Sequence, residues 1–154
     1  MKSEFEIWST NRAIYKKFIT HNTIGKLNEI PSIFNNNIIW NVGHVIAVQQ
    51  HLVYRKSGLE MLISNDFFEK YKPGTKPEGS ETQESIDQMV ALLLSTKDQT
   101  IGDFEMGKFK IYDEFNTSKG FHLSSAASAI SFNNYHEALH LGNMSSMLNP
   151  TCSF

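Results

Sequence analysis

The sequence predicts an all-α protein, a four-helix bundle. Three observations lead there. Four long segments carry apolar residues at helical intervals, and the connections between them are rich in Gly, Pro and Asn. The chain has 154 residues, of which 40% are hydrophobic. A chain near that length buries roughly 68–70% of its unfolded surface, enough for one core. We therefore read residues 1–154 as a single domain. An α+β fold is the alternative, because β-branched residues are common in the second segment.

The first segment covers residues 3–21. Phe5, Trp8, Ile14, Tyr15, Phe18 and Ile19 recur at helical intervals, and Ser3 followed by Glu6 suits a capping box. Asn22, Gly25 and Pro31 then break the pattern. The second segment covers residues 34–57, with Ile38, Val42, Val45, Gln49, Leu52 and Val53 on one side and Gly58 as its stop. Residues 58–80 form a long connection containing Pro73, Gly74, Pro77 and Gly79. A connection of this length is often functional. The third segment opens at Ser80, which with Gln83 suits a second capping box, and ends near Gly102. Its apolar side is Ile86, Met89, Val90, Leu93 and Leu94. Residues 103–121 fit either an extended or a short helical piece, with Thr117, Ser118 and Gly120 as turn chemistry. The fourth segment covers residues 124–148 and stops at Asn149 and Pro150.

Charge and composition exclude several functions. A net charge of −2, from 14 basic and 16 acidic residues, gives no support to nucleic-acid binding. No apolar run approaches the ~18 residues of a membrane span. The start, MKSEFEIWSTNR, has no apolar stretch of the signal-peptide kind. Cys152 is the single cysteine and cannot form an internal disulfide, so the cytoplasm is the expected location and this thiol is read as incidental.

The chemistry concentrates in YHEALHLGN, residues 135–143, where His136, Glu137 and His140 spell H-E-x-x-H. A helix advances about 100° per residue, so the two histidines lie about 40° apart on one face, one turn apart. Two imidazoles so placed can grip one ion. Ala129, Phe132 and Asn133 precede them on that face, and Asn143 and Met147 follow. A zinc protease of this motif takes a third ligand downstream, and the metzincin version needs H-E-x-x-H-x-x-G-x-x-H. Here Gly142 follows His140 by two positions, and no His, Asp or Glu occurs after it. The protease plan therefore fails, and a third ligand has to come from upstream.

The second segment offers two such residues, His44 and His51. Within about 60° of His44 lie Asn37, Trp40, Asn41, Ala47, Val48, His51 and Arg55. This polar stripe is either a solvated face or a pocket wall, and Trp40 with two histidines is unusual on a wet surface. His44 and His51 are about 10 Å apart along the axis, too far to share one ion. His21 and His122 sit near segment ends and read as ordinary polar residues.

The stretch IIWNVGHVIAVQQHLVYRKSGL, residues 38–59, resembles the second helix of the DinB-like (YfiT-like) metal-binding bundle proteins. Their W-N-x-G-H ends in a metal-binding histidine, which maps to His44. The stretch TSKGFHLSSAASAISFNNYHEALHLGNMSSML, residues 117–148, resembles the end of the same family, where a T-x-x-G turn leads into a helix with H-E-x-x-H-x-G. Its metal histidines map to His136 and His140. The resemblance runs through four helices in order and matches only in outline in the middle third. It implies an up-up-down-down bundle with a long crossover, a three-histidine metal site and a homodimer. It also implies a thiol S-transferase, with thiol-dependent isomerases as another branch.

Three neutral imidazoles with an open position are a catalytic type of metal arrangement. Zn²⁺ is the first expectation, with Ni²⁺, Mn²⁺ and Fe²⁺ as alternatives that imidazole also accepts. The expected function is a metal-dependent enzyme of thiol S-transferase or hydrolase type, acting on a small molecule, with a low-molecular-weight thiol as partner. The other candidate is a non-catalytic metal-binding bundle serving in stress response. Glu137, about 80° from the midline of the histidine pair, is the catalytic candidate: it would accept a proton or orient a ligand. A plain salt bridge between helices is its other role. Asn41 and Asn133 are candidate donors behind the ligands, and Trp40, Tyr112 and Phe132 candidate pocket aromatics.

Overall fold

The first helix, α1, spans Lys2–Thr20 and buries Trp8, Asn11, Arg12, Tyr15 and Ile19. The expected Ser3–Glu6 box does not form, because Ser3 already lies inside the helix and Met1 occupies the cap position without a capping side chain. Ile14 does not join the buried stripe and is exposed. Helix α2, Ile24–Asn28, is capped by the Thr23 hydroxyl, which accepts from the Lys26 amide. It is too short to register as periodicity. The computed structural model describes residues 1–148. Asn149, Pro150 and Cys152, to which the sequence assigned a helix stop and an incidental thiol, lie outside the described residues.

Helix α3 spans Ile38–Val53, starting four residues later than expected. Its cap is Asn37, whose side-chain oxygen accepts from the Trp40 amide at 2.8 Å. Every residue of α3 except His51 is buried. A helix buried all round, its polar Asn41, His44, Gln49 and Gln50 included, lies at the centre of a domain. The stripe around His44 is therefore not a solvated face. A single 3-10 turn, Arg55–Ser57, follows and stops at Gly58, whose φ of 69° lies in the left-handed region that glycine alone adopts without strain.

The connection at residues 58–80 contains a helix that periodicity did not reveal, α4, Asn65–Tyr71, capped by Ser64. Helix α5 spans Gln83–Glu105. Its cap is Thr82, not Ser80, and its oxygen accepts from Ser85 N at 3.2 Å. Residues 103–121 finish α5 and then run extended to strand β1, Phe115–Asn116, which pairs antiparallel with β2, His122–Leu123. Thr117 to Gly120 make the turn between them, with Gly120 at φ 87°. Two strands of two residues are the only sheet among the described residues, so the fold is all-α and the α+β alternative falls. Helix α6 spans Ala126–Leu148.

Among the long helices, α3 packs on α5 and α6, and α1 packs on the same two. The four thereby enclose two apolar clusters. One gathers Ile38, Ile46, Leu93 and Met144; the other gathers Trp8, Val53, Ala129 and Ile130. Among the described residues no helix is long and apolar enough to cross a membrane.

Candidate metal centre

The residues WNVGH, 40–44, lie on α3, and Trp40 and Gly43 bear on the orientation of His44. Trp40 stacks on the His44 ring, with centroids 4.6 Å apart and planes 15° apart. Gly43 lets Tyr71 approach: a Cβ at position 43 would lie 2.5 Å from the Tyr71 ring. That closeness places the Tyr71 carbonyl 2.8 Å from His44 Nδ1. A carbonyl only accepts, so Nδ1 carries the proton and Nε2 keeps its lone pair.

Helix α6 brings His136 and His140 to the same point. The rings of His44, His136 and His140 have centroids 4.6–5.3 Å apart. One nitrogen from each lies within 4.8 Å of the others. A tetrahedral Zn²⁺ with Zn–N near 2.1 Å separates its ligands by ~3.4 Å, so small side-chain rotations close the set. His140 Nδ1 lies 2.6 Å from Asn41 Oδ1. The Asn41 amide nitrogen donates to the Asn37 carbonyl at 2.7 Å, which fixes Oδ1 as the acceptor. His140 therefore also keeps its Nε2 lone pair. Hydrogen bonds of this kind behind a ligand set its tautomer and orientation. His136 Nδ1 is buried with no hydrogen-bond partner among the described residues, an unmet demand of the kind an ion satisfies.

All three rings are held neutral. Burial lowers His136 to about 2, assisted by the neighbouring His140, His44 and Arg12. Burial and His44 lower His140 to about 3. Burial lowers His44 too, opposed by its bond to the Tyr71 carbonyl. Neutral imidazoles are what a cation needs, and the donor set fits a divalent metal ion.

The triad opens into a cavity of about 440 Å³. Val48, His51 and Leu52 of α3 line it, with Phe132, Tyr135 and Leu139 of α6 and the hairpin residues Phe115, Thr117, Ser118 and Lys119. The family model of the DinB superfamily matches residues 8–144.

This chain belongs to the DinB superfamily.

No curated protein matches it. Within this all-α DinB fold the sequence-derived residues divide into two places. His44, His136 and His140 converge; Glu137 does not join them. Glu137 is fully buried on the side of α6 that faces α1. Its Oε1 accepts from Trp8 Nε1 at 2.8 Å, Arg12 Nε at 3.0 Å, Arg12 Nη2 at 2.7 Å and Asn133 Nδ2 at 2.8 Å. The Tyr15 hydroxyl donates to the Glu137 carbonyl at 2.8 Å. The geometry is the inter-helix salt bridge rather than a wall of the cavity.

Asn133 thus serves Glu137 and not a histidine, whereas Asn41 stands behind His140 as an acceptor. Phe132 lines the cavity. Trp40 backs His44 instead, and the Tyr112 hydroxyl donates to the Leu52 carbonyl at 3.0 Å outside the cavity wall. His51 lines the cavity, with its ring stacked on Phe68. Two residues escaped sequence reasoning: Tyr71, which acts through its carbonyl, and Arg12. Tyr71 left no signal, since any residue has that oxygen. Arg12 did, because a lone charge between Trp8 and Tyr15 interrupts the apolar stripe of α1.

Proposed function

We propose that this DinB protein holds one divalent cation with His44, His136 and His140 and acts as a metal-dependent enzyme on small molecules, of thiol S-transferase or hydrolase type. The observation that carries it is the preset orientation of two of the three rings, by the Tyr71 carbonyl and by Asn41, beside a cavity of small-molecule size. When bound, a divalent cation supplies Lewis acidity that lowers the pKa of a thiol or water at an open position. The chain's own residues do the rest. Trp40, Tyr71 and Asn41 orient ligand rings, and the apolar walls exclude water. Glu137 is a positioning residue, tying α6 to α1 so that the two histidines of α6 stay in register with α3. Zn²⁺ is the first candidate ion. The same proposal includes an up-up-down-down helix order and a homodimer, which rest on the family likeness, and a cytoplasmic location, which rests on the single cysteine.

A non-catalytic metal-binding bundle is the second reading. It is favoured by one observation: the carboxylate of Glu137 is committed to Trp8, Arg12 and Asn133 and so supplies no acid–base group to the cavity. Elemental analysis of wild type beside His44→Ala and His136→Ala tests the ligand set. The wild type should carry about one equivalent of metal and both variants should lose it. Stoichiometric metal in both variants overturns the assignment. Turnover of metal-loaded protein with a thiol and a panel of electrophiles then separates the enzyme from the binding bundle.

A further inference from the structure

The wall of the cavity is not uniform. On the α6 side Phe132 and Tyr135 stand with ring centroids 5.8 Å apart, and Phe121 of the hairpin backs both at 5.2 and 5.0 Å. Phe132 in turn lies nearly parallel to His136, 6.3 Å away with planes 24° apart. Aromatic surface therefore runs without a break from the mouth, where Tyr135 is 43% exposed, down to the histidines. Leaving a side chain of that size so exposed loses the benefit of burying it. Recognition surfaces are where exposed tyrosines concentrate. Among the described residues that line the cavity, Lys119 alone carries a formal charge, on the turn between β1 and β2. Ser118 and Thr117 stand beside it. No carboxylate among the lining residues competes for the ammonium group.

We infer that the cavity is built for a planar, ring-bearing small molecule that carries a negative charge, with its rings against Phe132 and Tyr135 and its anionic group at Lys119. The inference rests on the proposed function only in taking this cavity as the working site; it names the substrate class and does not need the metal. Rings stack on rings in offset or edge-to-face geometry, worth about 0.5–1.5 kcal/mol a pair beyond burial. An exposed ammonium adds less, and it acts chiefly by choosing among ligands of equal shape.

The test is fluorescence titration of the full chain, metal-free and metal-loaded, with a matched pair of dyes. One is 1-anilinonaphthalene-8-sulfonate, and the other is N-phenyl-1-naphthylamine, with the same rings and no charge. Wild type should bind the sulfonate about fivefold more tightly. Lys119→Gln should abolish that preference, and Tyr135→Ser should weaken both dyes about fivefold. Both side chains are exposed, so neither change threatens the fold. Equal affinities in wild type, a preference that survives Lys119→Gln, or unchanged binding in Tyr135→Ser each overturns the inference. Dye selectivity in a protein that binds no metal sinks the proposed metal site and leaves this inference standing. Bound metal with no dye selectivity does the reverse.

Discussion

Removing one member of the Arg12–Glu137 pair should cost more stability than removing the pair's charges together. Both side chains are fully buried, and Nη2 to Oε1 is 2.7 Å. In Arg12→Met, Glu137 Oε1 keeps Trp8 and Asn133 as donors but loses both guanidinium bonds, while Oε2 already has no partner among the described residues. The charge stays buried without its counterion, which costs about 3–5 kcal/mol. Glu137→Gln strands the guanidinium in the same way and should cost a similar amount. The double variant Arg12→Met/Glu137→Gln leaves no buried charge and retains an acceptor oxygen for Trp8 and Asn133. Its loss should be only about 2 kcal/mol, chiefly the lost Arg12 bond to the Leu93 carbonyl and imperfect packing. Urea unfolding followed by far-ultraviolet circular dichroism gives all four stabilities, and the coupling is read from the cycle. Additive losses, or a single variant costing under about 1 kcal/mol, would refute the assignment of a buried clamp.

Three further outcomes follow from the geometry. Asn41→Leu takes away the acceptor behind His140 and should weaken metal affinity by about 10–100-fold, measured by competition with a chromogenic chelator. Gly43→Ala forces a methyl into the Tyr71 ring, so it should destabilise by about 1–3 kcal/mol in urea and lower metal affinity as the Tyr71 carbonyl shifts. Glu81 supplies a pH signature. Burial pushes its carboxyl up, but hydrogen bonds from Lys70, Ser85 and Tyr71 outweigh that and hold it below its ordinary value. A depressed carboxyl stabilises the fold above its unfolded pKa of about 4.3 and loses that contribution as pH falls through the folded value. Wild type should therefore exceed Glu81→Gln in urea midpoint near neutrality and converge with it in acid, and a constant gap across pH would contradict this.

The long helices were legible because each buries a stripe at a period of 3.6, and His136 with His140 because that period places them on one face. Helices α2 and α4 were not, since five and seven residues hold too few turns for a period to show. The cap slipped from Ser80 to Thr82 because a Ser and a Thr stand two residues apart there, and position along the chain does not say which one the backbone meets. It slipped from Ser3 to Met1 because α1 already begins at Lys2, ahead of the only capping side chain nearby. Helix α3 misled in another way: it is buried on nearly every side, yet its polar stripe could be read as a solvated face. That stripe offered His44 and His51 together, and the W-N-x-G-H likeness chose His44. The direction of Glu137 was half legible. The arithmetic turned it away from the histidine pair, but only packing against α1 shows what lies there. An arginine inside one apolar stripe and a glutamate inside another are the pattern that pairs them.

The tether on His44 belongs to the main chain, and that shapes what genetics can reveal. Scanning position 71 would report on the packing of the phenol and on its hydrogen bond to Glu81, since every amino acid brings the same carbonyl oxygen. Drift there can thus repack the buried cluster that Tyr71 joins while leaving the imidazole's aim intact. Only a change in how closely the two backbones approach each other can release it.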